Sequence, residues 1–534
     1  MLDLNRLPEA VKHEGGVSRR LFLSYCAALA ATPLLARTAA LGRALPRPSF
    51  SADPFTLGLC SGDADSTGVV LWTRLAPKPL EPDGGMPRSS VVEVGWEIAE
   101  DEAMKKVVKR GIEVAAPELA HSVHVEVDGL RPDRWYWYRF RSGDATTQIA
   151  RTRTLPPPMS NPDQLHFAFA SCQHWESGYY TAYQHMAKDD LDLIFHIGDY
   201  IYEGGKDKGH AREHANGKCE SLDDYRIRHA QYKTDEHLQA AHRVCPWFVT
   251  WDDHEVSNNY AGGMDGHTKG PTPEFLARRA AAYKAYYEHM PLRAKSLPHG
   301  PDMQLYRKAS YGRLLEMLIL DTRQYRTPQP ADGNHAPIGP IASGASGTIL
   351  GAKQKSWLKD SLTRSPGKWN LLAQQVVMGM IGRTHDEDPK VDYYAMDQWP
   401  GYTHERIEMV QFMADRKVAN PIVITGDIHS NWVNELRPDD RKPEQPVVAT
   451  EFVGTSISSS GDGVDQPKGL QGLMRHNPGV KYHNGERGYV RCTVTPRTWK
   501  SDYITVAKIS VPNQPVQTRA SFVVESGKVG VQSA

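Results

Sequence analysis

From residue 54 to residue 154 apolar and polar positions alternate in short runs, at Val69-Val70-Leu71-Trp72 and again over 91–98, 121–127 and 135–140. A period of two with little helical spacing predicts half-buried strands, with Tyr136, Tyr138 and Phe140 on one strand face. Beyond residue 164 the pattern changes. Apolar stretches at 165–170, 191–197, 247–251, 315–320, 370–377, 421–425 and 447–453 alternate with helical spacing, and several end in Asp, His, Asn or Cys. In layered α/β folds the side chains leaving the carboxyl ends of the strands converge on one crevice, so this region predicts that class and puts candidate chemistry at its strand ends. Gly488-Tyr489-Val490 and Tyr503-Ile504-Thr505-Val506 are expected to complete a second sheet. The polar segments 206–219 and 327–347 read as excursions around the site mouth, and no internal repeat is visible.

Leu130-x-Pro132-x-x-x-Tyr136 resembles the tyrosine corner of fibronectin-type sandwiches, in which the phenol bonds backbone near a Greek-key connection. The expectation is an all-β sandwich of fibronectin or immunoglobulin type over 54–154, with a structural or substrate-gating role and its aromatics as core rather than a carbohydrate-binding strip. Arg153-Thr154-Leu155-Pro156-Pro157-Pro158 is a linker stiffened by prolines, and the catalytic domain is expected over 163–520. Ahead of both, Ser18-Arg19-Arg20-Leu21-Phe22-Leu23 is a twin-arginine pattern, followed by an apolar run broken by Pro33 and a small-residue segment to Ala44. That order reads as a Tat export signal over 1–44. The run is shorter than the ~20 residues that span a bilayer. The mature product is therefore expected to be periplasmic or secreted, with the Tat machinery as a partner and no integral membrane span. Tat carries folded proteins, so a metal chosen in the cytoplasm is an attractive cargo.

Length and composition narrow the picture. A chain of 534 residues suggests two domains, or one large domain with an appended module. Hydrophobic and charged fractions of 40% and 24% suit a soluble globular protein. Lys plus Arg and Asp plus Glu both number 63, so no nucleic-acid partner is indicated and an anionic substrate must be held by local charge. Six cysteines contain no CxxC pair, and losing Cys26 with the signal leaves five. An odd number means that at least one thiol is free or a ligand.

Four motifs carry the chemistry: Ala170-Ser171-Cys172-Gln173, Gly198-Asp199-Tyr200-Ile201-Tyr202-Glu203, Trp251-Asp252-Asp253-His254-Glu255 with Asn258-Asn259, and Gly426-Asp427-Ile428-His429-Ser430. Alone, each Gly-Asp is an ordinary turn, and Cys172 after an apolar strand is an ordinary core thiol. Together, in this order and at strand ends, they resemble the PhoD-like alkaline phosphatase/phosphodiesterase family. Phe55-Thr56-Leu57-Gly58, Leu71-Trp72-Thr73-Arg74 and Gly488-Tyr489 extend the likeness over nearly the whole chain. The resemblance implies a two-sheet metallophosphoesterase αββα sandwich behind the amino-terminal β-sandwich, holding Fe3+ and Ca2+ on a shared carboxylate, with other divalent metals as alternatives. Asp199 would be the bridge. Cys172 as thiolate, Tyr202 as phenolate and His429 would bind iron; Asp427 would face calcium beside Asp253 or Asn258.

The residue types suit those ions. Ferric iron favours anionic ligands and holds phenolate and thiolate far below their free pKa values, calcium takes oxygen ligands, and zinc more often shows a richer histidine set. Asp427 and His429, two apart, share a face if strand geometry persists, and Asp199 and Tyr202 can meet across one turn. The reaction expected is in-line attack on phosphorus by a metal-bound hydroxide, releasing the alcohol of a phosphate mono- or diester. His254 would protonate the leaving oxygen or hold the phosphate, Arg323 would clamp an oxyanion, and Asn258 completes the candidate catalytic set.

Competing readings accompany these. A phospholipase D-type or wall-polymer phosphodiesterase fits the same site. A non-catalytic, metal-dependent surface-binding protein and a serine esterase through Ser456 or Ser458 are alternatives of other classes. His196 within a strand reads as a satisfied core histidine, His174 and Trp175 as pocket rim, and the loop 454–461 as pocket lining without the G-x-S-x-G elbow. Asp63-Ala64-Asp65-Ser66-Thr67-Gly68 starts like a calcium loop, but Arg74 at position twelve makes it a turn.

Overall fold

The computed structural model describes residues 48–206, 210–266, 270–385 and 388–534, so the expected export signal lies outside the described residues. A ten-stranded sheet runs edge to edge through Gln532–Ser533, Val516–Glu525, Thr498–Val506, Arg487–Val494, Leu165–Ala170, Leu193–Ile197, Trp247–Thr250, Leu59–Gly62, Val69–Arg74 and Ser122–Val127. A seven-stranded sheet runs Arg307–Tyr311, Leu315–Ile319, Trp369–Ala373, Pro421–Thr425, Ala449–Val453, Asn431–Leu436 and Val480–Asn484.

Alternation along the strands explains how these sheets stack. Leu165, Phe167 and Phe169, with Leu193, Phe195 and Ile197, enter one apolar cluster that also takes Leu315, Met317, Leu371, Ile422 and Ile424 from the other sheet. The intervening residues point the opposite way. Ala168, Ala170, Ile194 and Val249 meet Tyr183, Tyr225, Leu238 and Tyr283 of the helices Thr181–Met186, Leu222–Lys233, Glu236–His242 and Pro273–His289. Leu318, Leu372 and Val423 meet Leu358, Leu362 and Met409 of Gly351–Arg364 and Thr403–Asp415. Strands buried on both faces need continuous apolar runs, which is why the sequence shows runs here and alternation upstream. Polar residues set the helix starts: Ser221 and Asp224 form a capping box, and Thr272 accepts from Phe275 N–H ahead of Pro273.

The amino-terminal strands are divided between two sheets. Leu59–Gly62 pairs in parallel with Trp247–Thr250, so three of these strands continue the ten-stranded sheet. The rest form a five-stranded sheet of Val107–Ala115, Val92–Ala99, Trp135–Ser142, Ala145–Thr146 and Ala150–Arg153. The open edge of Trp247–Thr250 supplies the reason: pairing satisfies backbone groups that an uncovered edge leaves exposed. Val123, Val125, Tyr136, Tyr138 and Phe140 accordingly belong to the same cluster as the core between the large sheets. Val107–Ala115 escaped the sequence reading because Lys109, Arg110 and Glu113 interrupt its alternation.

The tyrosine corner is formed. Arg131 N–H donates to the Tyr136 hydroxyl at 2.9 Å, and that hydroxyl donates to Arg131 O at 3.2 Å. Replacing Tyr136 by Phe removes both bonds and is expected to cost about 1 kcal/mol; an unchanged denaturant midpoint would show that the corner carries no stability. Asp65 N–H bonds Gly68 O at 2.9 Å, and Asp65 Oδ1 accepts from Thr67 N–H at 2.7 Å, so the 63–68 segment is the expected turn. Among the described residues no helix is long and apolar enough to cross a membrane.

Candidate metal centre and active site

Leu165–Ala170, Leu193–Ile197 and Trp247–Thr250 run parallel, as do Leu315–Ile319, Trp369–Ala373, Pro421–Thr425 and Ala449–Val453. Cys172, Asp199, Asp252-Asp253, Arg323, Asp427 and the 454–461 loop each follow one of their carboxyl ends. The two rows of loops meet directly: Ser171 bridges Ser456, and Ile457 N–H bonds Ser171 O at 2.9 Å. Space is tight. Gly198, at φ 118°, would bring a Cβ within 2.5 Å of Asp252 Cβ, so both its conformation and its neighbour demand glycine.

Cys172, Asp199, Asp427 and His429 all hold left-handed backbone conformations, with φ of 58°, 54°, 66° and 53°. Such a conformation costs a non-glycine residue roughly 1–3 kcal/mol, and four in one cleft mark a place where side-chain position outranks backbone comfort. The strand Pro421–Thr425 stops before Asp427, so the strand-face argument for Asp427 and His429 fails. The two instead diverge. His429 joins Cys172 and Asp199, whereas Asp427 joins Asp252 and Asp253; within each set the ligating atoms lie inside 4.8 Å of one another. Asp199, Asp253 and His254 form a third such set, which makes Asp199 and Asp253 the links between the two halves.

Tyr202 reaches across as expected, its hydroxyl donating to Asp199 Oδ2 at 3.0 Å and lying 3.0 Å from His429 Nε2. Ser459, on the loop expected to line the pocket, donates to the same phenol oxygen at 2.7 Å. Asp199 Oδ1 is buried and has no hydrogen-bond partner. An orphaned carboxylate oxygen amid buried Cys, Tyr, His and Asp donors fits a cation, and the mixed anionic set fits two cations of different hardness. Asp253 lies among the ligating atoms, whereas Asn258 is exposed and uses its backbone N–H to donate to Glu203 Oε1 at 2.7 Å.

Electrostatics follow from burial. Burial, then the Asp199 charge, raises the Cys172 thiol and the Tyr202 phenol well above their ordinary values, so a strongly polarising cation is needed to bring either to its anionic form. Burial likewise pushes Asp199 well above the carboxylate range, and pushes Asp427 up to about 6 against the pull of Arg323. For His254 burial opposes the charge, yet Asp253, Glu203 and Asp199 outweigh it and hold the imidazolium well above its usual range. Its Nδ1 is 2.7 Å from Glu203 Oε2, and its ring stacks on Tyr202 at 4.1 Å between centroids.

Arg323 is placed differently from the expected oxyanion clamp. Its guanidinium is wholly buried, donates to Asp252 Oδ1, and grips Asp397 with two bonds of 2.9 Å; Asp427 Oδ1 stands 3.5 Å away. The sequence reading left Asp252, Glu255, Glu203 and Asp397 without roles. Glu255 ties two strand ends together, accepting from Asp199 N–H at 3.1 Å and Asp252 N–H at 2.8 Å. Glu203 and Glu255 sat inside the quoted motifs and were findable there, whereas Asp397 and Gln398, which donates to Asp427 Oδ2, carry no local signal. His196 is buried in its strand as expected, but neither ring nitrogen has a hydrogen-bond partner; it packs on Trp247 and Tyr200 instead. Ser456 and Ser458 donate their hydroxyls to the backbone oxygens Ser459 O and His174 O rather than to a base nitrogen, which gives the serine-esterase reading no geometric support.

A family model described as PhoD-like phosphatase matches residues 167–503, and its companion N-terminal domain matches residues 40–156. The chain belongs to the PhoD-like phosphatase family. It is 48% identical over 491 residues to alkaline phosphatase D of Bacillus subtilis (strain 168), a match covering 91% of this chain and 83% of that protein. It also superimposes on a solved structure titled "Structure of PhoD" with a TM-score of 0.88 and 47% identity, covering 91% of this chain and 93% of that one. Membership places the chain among the phosphoric ester hydrolases, which favours catalysis over the surface-binding alternative. The mixed sheets and the amino-terminal domain of strands are those of a PhoD-like fold.

Proposed function

We propose that this protein hydrolyses phosphate mono- or diesters in the cleft between its two rows of strand-end loops, with ferric iron seated by Cys172, Asp199, Tyr202 and His429, and calcium by Asp199, Asp253 and Asp427. The orphaned, buried Asp199 Oδ1 carries the reading. When bound, these cations would supply Lewis acidity that activates a water molecule and offsets charge on the phosphoryl oxygens. The chain's own residues do the rest. His254, charged and braced by Glu203, donates a proton to the leaving oxygen. Arg323 orients Asp252 and Asp397 and offsets the crowded carboxylates, a positioning role rather than a substrate contact. Ser459 and Glu255 hold Tyr202 and the Asp199 loop in register. The two sheets with their outer helices are read as the αββα sandwich, the amino-terminal strands as a fibronectin-like sandwich grafted on its edge, and the twin-arginine segment as the export signal.

Turnover of an aryl phosphate and of a bis-aryl phosphate, with and without chelator, tests this directly. Activity is expected to vanish on metal removal and return with iron plus calcium; undiminished turnover by metal-free protein would overturn the reading, and the ratio of the two rates separates monoesterase from diesterase. A ferric phenolate absorbs visibly, so the loaded protein is expected to be coloured and Tyr202→Phe to lose the band. For His254→Ala the expected loss is about 10²–10⁴-fold on an alkyl phosphate, with a smaller loss on an activated aryl phosphate whose leaving group needs no proton. Equal effects on both would remove the acid role.

A further inference from the structure

The segment after Cys172 carries a further set of ligating side chains. His174 and Glu176 lie between Leu165–Ala170 and Thr181–Met186, and His214 precedes the helix Leu222–Lys233. Their ligating atoms fall within 4.8 Å of one another. The Glu176 and His214 side chains are fully buried, and that of His174 is 15% exposed. Glu176 Oε2 stands 3.1 Å from His214 Nδ1 and 4.0 Å from His174 Nε2. Two donors bound to one tetrahedral zinc at ~2.0–2.1 Å lie roughly 3.3 Å apart, a figure these two separations bracket, and the two imidazole donors lie within 4.8 Å of each other.

The outer partners point the same way. Ser177 Oγ lies 2.6 Å from His174 Nδ1, and the Tyr232 hydroxyl lies 3.0 Å from His214 Nε2. Each imidazole thus has one nitrogen engaged by a hydroxyl and turns the other toward the same carboxylate oxygen, the arrangement by which outer partners aim histidine ligands. The second carboxylate oxygen, Glu176 Oε1, accepts His214 N–H at 2.9 Å and fixes the carboxylate in turn. His214 Nδ1 also stands 3.3 Å from Gly205 O, a contact an ion would replace.

We propose that His174, Glu176 and His214 form a separate site for a divalent transition metal of the zinc class, distinct from the Cys172–Asp199–His429 centre. Two imidazoles and one carboxylate suit zinc and leave a fourth position for water. The ion fastens the segment bearing His214 onto the loop bearing His174, whose ring packs 4.5 Å from that of Tyr202.

The test uses the whole protein, stripped with chelator and titrated with zinc or cobalt, beside Glu176→Gln, His214→Gln and His174→Ala. Elemental analysis is expected to show one zinc equivalent fewer in each variant than in the unsubstituted protein. The cobalt difference spectrum between them is expected to show ligand-field bands of a low-coordinate site, and zinc to raise the thermal midpoint of the unsubstituted protein by more than that of the variants. Where the buried substitutions prevent folding, His174→Ala, at the partly exposed ligand, decides alone. Equal metal uptake and identical cobalt spectra in the unsubstituted protein and every folded variant would overturn the site and leave a Glu176–His214 ion pair of structural value.

Discussion

Asp199→Asn is expected to reduce turnover by more than the ~100-fold that loss of a partner behind a metal ligand costs, and to strip metal from both halves of the cleft. The residue is shared by the Cys172–His429 set and the Asp253–His254 set, its Oδ2 already accepts from Tyr202, and its Oδ1 is buried without a partner. An amide keeps the shape and removes the charge, so each half loses the anionic link to the other. Stability should move the opposite way. Burial makes the Asp199 charge costly in the absence of a cation, and the metal-free variant is expected to melt no lower than metal-free unsubstituted protein. Elemental analysis, turnover and a thermal melt read the three effects separately. A variant with full metal content and full turnover would show that Asp199 is not the bridge.

Arg323→Met is expected to destabilise the fold by about 3–5 kcal/mol, the cost of breaking a buried charge pair from one side. The guanidinium is wholly buried, bonds Asp252, grips Asp397 through two hydrogen bonds, and sits 3.8 Å from Asp253 and 3.5 Å from Asp427. Removing it leaves a crowd of buried carboxylates facing Arg326, which reaches only Asp397 among them. Arg323→Lys restores charge but not the two-pronged grip and is expected to recover only part of the loss. Denaturant midpoints in chelator measure this without help from bound cations. A midpoint within experimental error of the unsubstituted protein would show that the carboxylates are neutralised in another way.

Much of the site was legible before any coordinates because parallel strands deliver chemistry at their ends. Cys172, Asp199, Tyr202, Asp253, Asp427 and His429 were all nameable from motifs that follow apolar runs, and the structure brings them into one cleft. Asn258 was nameable too; its side chain is exposed, whereas Asp253 is buried beside Asp252 and Asp427. Asp397 and Gln398 were invisible because their partners lie far along the chain, and no local pattern records a bond to Arg323 or Asp427. The His196 reading had the right layer and the wrong chemistry: period-two burial is written in the sequence, but whether a neighbour offers a hydrogen bond is not.

By itself the sequence determined the alternation of apolar runs with helical spacing, the strand-end placement of the four motifs and the family, because periodicity and residue type are local properties that survive without neighbours. Only the tertiary structure decided that Asp427 and His429 face different donor sets, that the Arg323 guanidinium is buried against Asp252 and Asp397, and that the first strands extend the main sheet. Those outcomes turn on left-handed backbone at four residues beyond three strand ends and on an open sheet edge. Such features are settled by the energy of packing distant segments together, which no window along the chain contains.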